Sequence, residues 1–469
     1  MAKISKYLIM IGEGAIDLIT VIIVSVLVAK AQGDSALGIF SYFLSFYVLA
    51  GFVSQFGISK YCEREVAFAL NYTQREKIYL RALKALLMTS LFCALLMLVF
   101  SGYYASLTRL DENIAAYIFI ALTLIPQNIN KIRIAFMNGT GRHEEAARFV
   151  IMKRVTFLVS VILLVSLEIP PSFLVIGFFL SEVFLLIRMT KKNKSFFPKG
   201  WNLRDGTGII RQLSSGYEYL LADETLNIFF YMDYLILGLF VRSEQMGIYA
   251  EAVILSRCFL LVPLSIRPIF RKYYCNLVSQ NRYEDMAAFI KKSTAFLFYF
   301  QSIFALYILL HFPKFIGLLF NAVNEAADPF PAFAILLPGL LYYSSFVLQE
   351  PLYEAIDSMP SIRRLIISVS LVNLILNVYF IPFAGILGAA FATTGSMIFY
   401  FYLFGRNIIE DLRFNKIIYI YAGAALYVIY TILEYSNTGL ILTIFLVPIL
   451  ISVFFTSINM FYHGKAHTR

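Results

Sequence analysis

The chain has 469 residues, 60% of them hydrophobic and only 14% charged, with a mean hydropathy of +0.75. Soluble globular domains carry about 25% charged residues, so this composition excludes an ordinary soluble protein and indicates a polytopic membrane protein. The net charge of +10 is spread along the chain and not gathered in one patch, which argues against a nucleic-acid surface. Four cysteines, Cys62, Cys93, Cys258 and Cys275, have neither paired nor metal-like spacing, so no disulfide, structural metal or cofactor is expected.

Apolar runs matching the ~20 residues needed to cross hydrocarbon recur from end to end. They predict helices at 8–30, 37–59, 82–103, 113–137, 149–167, 171–189, 214–240, 247–270, 293–312, 330–350, 362–381, 386–405, 416–434 and 439–461, fourteen spans in all. The first is preceded only by Lys3 and Lys6 and is followed by no small-residue cleavage site, so it reads as an uncleaved span. With both termini placed in the cytoplasm, all of the 39 Lys and Arg fall in cytoplasmic segments or helix ends except Lys30, Arg109, Arg242, Lys314 and the intramembrane Arg257. That asymmetry sets the orientation under the positive-inside rule, and dropping one helix would scramble it.

Residues 61–80 and 271–292 interleave bases with apolar side chains and are expected to lie as short amphipathic helices on the inner leaflet. The stretch from Gly33 to Gly38 has the glycine spacing of a phosphate loop, but Ile39 and Phe40 stand where Lys and Ser/Thr belong, so nucleotide hydrolysis is not expected. Asn71, Asn138 and Asn193 open N-x-S/T triplets that this topology leaves in the cytoplasm.

Gly38-Ile39-Phe40 recurs 209 residues later as Gly247-Ile248-Tyr249, and Pro170 recurs 212 residues later as Pro382. The two offsets suggest a six-helix unit used twice. An even helix number makes the copies parallel, related by an axis along the membrane normal, with the substrate site between them. The lobes are residues 1–200 and 201–410, and 411–469 form a two-helix extension.

Ionisable groups at bilayer depth usually face a protein interior or a wet path. Glu13 and Asp17 share one face of the first span, suited to holding a proton or sodium ion. In the seventh span Tyr217, Glu224 and Tyr231 align at seven-residue spacing with Asn227 beside them and Asp223 flanking, while Asp233 points the opposite way. Asp233 is expected either as a helix–helix contact or as a second site. Glu182 lies deep in the sixth span and is a further coupling candidate, or else pairs with Lys153 or Arg154. Arg257, six residues before Pro263, could present its planar fork to a phosphate or bridge to a seventh-span acid. Lys131 and Arg133 follow the polar run Pro126, Gln127, Asn128 and Asn130, and could receive a headgroup or serve only as flanking charge.

The segments LVAKAQGDSALGIFSYFLSF and FGISKYCEREVA resemble the start of polysaccharide-type flippases of the multidrug/oligosaccharidyl-lipid/polysaccharide exporter superfamily. YMDYLILGLFVRSEQMGIYAEAVILSRCFLLVP resembles that family's seventh and eighth helices, and ILGAAFATTGS its twelfth. The resemblance implies two six-helix lobes around a V-shaped cavity and alternating access. It also implies transport of lipid-linked sugar, most similar to the O-antigen (Wzx) type that moves undecaprenyl pyrophosphate-linked repeat units in exchange for protons or sodium. Arg257 falls near an arginine that lipid II flippases keep before a proline; their first-helix arginines are replaced here by Glu13 and Asp17. The last two spans resemble the pair that accompanies a lipid tail in those proteins.

The expectation is a non-enzymatic, monomeric flippase of the bacterial inner membrane. Its substrate would be a lipid-linked oligosaccharide, its surroundings membrane lipids, and other polysaccharide-assembly membrane proteins its neighbours. A multidrug exporter and a lipid II flippase share the architecture and stay open. A glycan polymerase is disfavoured by the short loop from Pro313 to Pro329, and a structural scaffold by the number of intramembrane acids.

Overall fold

The computed structural model describes residues 2–108, 113–192, 207–217, 219–220, 225–320, 328–356 and 359–409. Asp223, Glu224, the side chains of Glu13 and Asn227, and the thirteenth and fourteenth predicted spans lie outside the described residues.

The fold is all-α. The helices are α1 (Ala2–Gln32), α2 (Asp34–Gln55), α3 (Ile58–Phe68), α4 (Tyr72–Leu107), α5 (Ile114–Gly139), α6 (His143–Ser166), α7 (Ile176–Lys192) and α8 (Thr207–Tyr217). They continue with α9 (Thr225–Phe240), α10 (Ser243–Arg257), α11 (Leu261–Ser279), α12 (Tyr283–Leu310), α13 (Phe312–Phe320), α14 (Phe330–Phe346), α15 (Glu350–Ala355) and α16 (Met359–Ile409), the last being two helices that meet at a kink at Gly385, where φ is +55°. Among the described residues eight helical stretches are long and apolar enough to cross a membrane. Their outward faces carry Met88, Phe92, Val99, Leu163, Ile375 and Phe383, all exposed, as lipid-facing helices should.

Three predicted elements differ in detail. The 61–80 segment is not one interfacial helix but α3 plus the first turns of α4, which runs unbroken for 36 residues, about 54 Å at 1.5 Å per residue. The predicted helix 214–240 is interrupted: α8 ends at Tyr217, a turn follows at Tyr219–Leu220, and α9 starts at Thr225. The chain is held there by backbone contact, since a Cβ on Gly57 would lie 2.2 Å from the Gly216 carbonyl oxygen. The predicted eighth span breaks into α10, a 3₁₀ turn at Cys258–Leu260 and α11. Pro263 has no N–H to offer the Phe259 carbonyl four residues back. Gln301 Nε2 donates to that carbonyl instead, at 2.7 Å.

In the first half, α1 packs on α6, α6 and α5 on α7, and α4 on α5; in the second, α9 and α14 pack on α16, and α12 on α14. Between the halves α2 meets α9 and α10, α1 meets α11, and α8 lies on α3 and α4.

Gly33, the 167–171 turn, the start of α5 and α13 gather at one end, tied by Gln32 to the Ile169 carbonyl (2.9 Å), Asn113 to Ser172 (2.7 Å) and Lys30 to the Leu318 carbonyl (2.7 Å). The other end carries most bases and is called the basic end below. The repeated motifs meet each other at the far end. A Cβ on Gly38 would lie 2.0 Å from the Ser243 carbonyl oxygen, and one on Gly247 would lie 1.9 Å from that of Asp34. Ser35 and Ser243 hydroxyls bond at 2.7 Å beside them. This reciprocal pairing is what a parallel repeat about a central axis produces.

Candidate functional site

Between the two backbone contacts, Gly38 on Gly247 at one end and Gly57 on Gly216 at the other, lies a cavity of about 660 Å³ walled by both halves. Its far-end limit is apolar, at Val21 and Leu44; towards the basic end it is lined by Lys60, Lys131, Lys153, Arg154, Arg257, Arg267 and Arg271. Among the described lining residues the carboxylates are Asp17 and Glu63. Tyr47, Phe52, Tyr219, Phe230 and Tyr231 supply an aromatic surface between them.

Arg257 closes α10 and is 5% exposed. Its Nη1 donates to the Tyr231 hydroxyl at 3.0 Å, and the guanidinium sits 4.5 and 5.0 Å from the rings of Tyr231 and Phe230. Its Nε has no acceptor among the described residues, and no carboxylate there pairs with it. Of the seventh-span acids only Asp233 is among the described residues, and it does not bridge to Arg257; Asp223 and Glu224 lie outside them. The planar cation is oriented by aromatic rings and keeps donor capacity for an incoming anion.

Asp17 also lines the cavity, with its carboxylate accepting from Arg154 Nε across the α1–α6 contact. Lys131 lines the cavity from α5. Glu182 sits behind the wall, fully buried on α7. It accepts from Tyr47 Oη (2.9 Å), Asn130 Nδ2 (2.8 Å) and Lys153 Nζ (3.3 Å). Two of those donors line the cavity, so Glu182 orients the wall without reaching the space. Tyr47 is further fixed by stacking on Phe178, centroids 4.3 Å apart.

The structure sends other predicted residues elsewhere. Arg133 points away from the cavity, its Nη1 on Thr190 Oγ1 (2.9 Å) and the Leu186 carbonyl (3.4 Å). Tyr217 lies at the basic end beneath the Arg363 guanidinium, 4.9 Å away, and does not line the cavity. The seven-residue stripe that would join it to Tyr231 fails because the chain turns between them. Asp233 is buried inside the second half and accepts from Tyr249 Oη (2.5 Å), Thr393 Oγ1 (2.6 Å) and Asn377 Nδ2 (2.7 Å), the last also donating to Asn373 Oδ1 (3.1 Å). Among the described residues its hydrogen-bond partners are all neutral.

Sequence reasoning missed Lys60, Arg267 and Arg271 as wall residues and saw Lys153 and Arg154 only as partners for Glu182. Arg267 Nη2 meets Glu350 at 3.0 Å, and that buried carboxylate also accepts from Tyr400 (2.9 Å) and Tyr343 (3.3 Å). All of these bases sit at or near the cytoplasmic ends of the predicted spans, where positive-inside flanking already accounts for them, so charge counting carries no signal for which ones turn inward.

The comparisons agree with this geometry. The structure is similar to the lipid II flippase MurJ in an inward closed conformation, with a TM-score of 0.72 over 96% of this chain and 98% of that one at 14% identity. It is similar to an inward-facing multidrug resistance MATE family transporter of the MOP superfamily, with a TM-score of 0.62, 86% and 95% coverage and 15% identity. A MOP superfamily transporter from Pyrococcus furiosus, whose binding pocket is described as reversed in polarity, follows at a TM-score of 0.55, 87% and 95% coverage and 15% identity. At such identities these matches speak for the fold alone, a MOP-type transporter fold. No curated protein matches the sequence. The family model for polysaccharide biosynthesis proteins matches residues 7–267, more than half of the chain, and the chain belongs to that family.

Proposed function

We propose that this protein is a flippase that carries undecaprenyl pyrophosphate-linked oligosaccharide repeat units, of O-antigen or a related surface polysaccharide, from the cytoplasmic to the outer leaflet of the bacterial inner membrane. The observation that carries the reading is the charge of the shared cavity, whose described lining residues include seven bases and two carboxylates. A multidrug exporter of cations would have to bring its substrate into a positive field that opposes entry, whereas a pyrophosphate is drawn in. Arg257, with Lys131 and the neighbouring bases, engages the pyrophosphate; Tyr47, Tyr219 and Tyr231 face the sugar; the polyprenyl tail stays in lipid. The basic end faces the cytoplasm under the positive-inside rule, so the substrate is loaded from the side that carries those bases. The protein works without enzymatic chemistry, beside other polysaccharide-assembly proteins.

Replacing Arg257 by alanine is expected to reduce export of surface glycan about 10- to 100-fold, the loss of one charge-assisted phosphate contact of ~1.5 to 3 kcal/mol. Unflipped lipid-linked oligosaccharide should accumulate, measured by extraction and mass spectrometry. Normal surface glycan at normal expression would remove Arg257 from the mechanism. Raised drug sensitivity on deletion, without accumulation, would favour the multidrug reading.

Coupling to protons or sodium is assigned in this reading to Asp233, because a buried carboxylate whose described hydrogen-bond partners are all neutral gains most from a bound cation. Asp17 is already balanced by Arg154. Asp233→Asn keeps the shape, and is expected to lower transport at least about tenfold and to abolish its response to an imposed sodium or proton gradient in proteoliposomes. An unchanged gradient response would move coupling to another acid.

A further inference from the structure

Two carboxylates used neither by the cavity nor by the Asp233 cluster meet where the repeated glycine motifs touch. Asp34 is the first residue of α2, and Glu251 lies two turns into α10. Gly247, one turn before Glu251 on α10, lies against the Asp34 backbone, a Cβ there falling 1.9 Å from the Asp34 carbonyl oxygen, and this contact brings the two carboxyl groups together across the junction of the two halves. Glu251 is 2% exposed, and its Oε1 finds no donor among the described residues. An ionised carboxylate only accepts hydrogen bonds, so a bond between two carboxyl groups requires a proton on one of them.

The charged groups on the packed elements offer no substitute for that proton. Glu244, on α10, adds negative charge to the pair. Lys30 on α1 is engaged by the Leu318 carbonyl, and Asp233 on α9 is held by Tyr249, Thr393 and Asn377. Arg257, at the other end of α10, lies against Tyr231, and Arg242 precedes the helix. None of these bases acts on the pair among the described residues.

We infer that Asp34 and Glu251 form a proton-binding site at the closure opposite the basic end, one shared proton bridging the halves when that end is shut. Without it, adjacent carboxylates drive α2 and α10 apart. The shut form then holds one more proton than the open form, so closure is favoured at low pH and weakens by about tenfold per pH unit above the pair's titration. In the transport cycle proposed above, uptake of a proton from the outer side becomes a condition for returning to the state loaded from the cytoplasm. The inference rests on that reading for its use in transport, while its test reads the closure itself and needs no substrate.

The test is hydrogen–deuterium exchange on the full chain in lipid nanodiscs at about pH 5.5 and about pH 8.5, with rates corrected for chemical exchange. Peptides covering 34–44 and 243–252 should be at least about tenfold more protected at the lower pH. In Glu251→Gln, and separately in Asp34→Asn, an amide donor stands in for the proton, so protection should be high at both values. Unchanged protection of the α7 peptide 176–186 confirms folding of each variant. Equal protection of the native junction at both pH values, or a pH difference that survives in both variants, overturns the site. An export phenotype unaffected by Arg257→Ala would defeat the flippase reading and leave this result as it stands.

Discussion

Substituting leucine for Gly247 is expected to cut export of surface glycan by about 5- to 150-fold, while the protein still accumulates in the membrane. A Cβ at this position already falls 1.9 Å from the Asp34 carbonyl oxygen and 2.6 Å from its carbonyl carbon. Those are backbone atoms of a packed helix and cannot rotate away, so α10 must back off α2 by several ångströms, breaking the Ser35–Ser243 bond as well. Overpacking of a close contact costs ~1 to 3 kcal/mol even when the surroundings adjust, and here all of it falls on one conformation, the one with this end shut. A perturbation that penalises one of two states shifts the population by its full size. The variant is therefore held open at this end. Alanine, valine and leucine should form a graded series, and Gly38 should behave likewise because a Cβ there would lie 2.0 Å from the Ser243 carbonyl oxygen. Gly102, where a Cβ meets nothing within 4 Å, is the control and should tolerate leucine. Export assayed beside membrane abundance decides the matter: a Gly247→Leu variant exporting at the native level would show that α2 and α10 need not touch.

The second large effect is on the fold. Glu182→Ala removes the acceptor shared by Tyr47, Asn130 and Lys153 and leaves a lysine beside a buried, uncompensated site. Breaking a buried pair from one side costs ~3 to 5 kcal/mol, far more than the pair contributes relative to apolar residues of the same volume. Heat-induced unfolding of the detergent-solubilised protein, followed by size-exclusion chromatography, should therefore shift by several degrees or more. The double variant Glu182→Gln with Lys153→Met removes both charges and should recover most of the loss. Native heat resistance in Glu182→Ala would mean that Lys153 finds solvent in the cavity at no cost, and that the wall is softer than its hydrogen bonds indicate. Because Tyr47 and Lys153 line the cavity, transport by the single variant should fall with stability.

These cases show where local pattern stops carrying information. Spans were legible because hydrocarbon thickness sets a length that composition alone can satisfy, and the two glycine motifs that touch were legible because they recur at a fixed offset. Arg257 was legible too, being a lone base inside an apolar run. The grouping of the acids was not. Asp17, Glu182 and Asp233 look alike in sequence, yet one lines the cavity against Arg154, one braces the wall from behind, and one sits among neutral donors in the other half. Tyr217 was assigned to the stripe of Tyr231 by helical spacing, and that spacing holds only while the helix does. The turn after Tyr217 comes from a backbone contact with Gly57, about 160 residues away in sequence, which periodicity has no means to register.

By itself the amino-acid order determined that this chain lives in a membrane and that it crosses it many times. Each of these follows from the cost of placing charge and bare backbone in lipid, which every residue bears regardless of its neighbours. Only the folded arrangement decided that seven bases converge on one space, that Asp233 stands apart from it, and that Asp34 meets Glu251 at the far junction. Those outcomes depend on which face each helix turns toward which partner, and that is settled by packing among side chains distant in sequence.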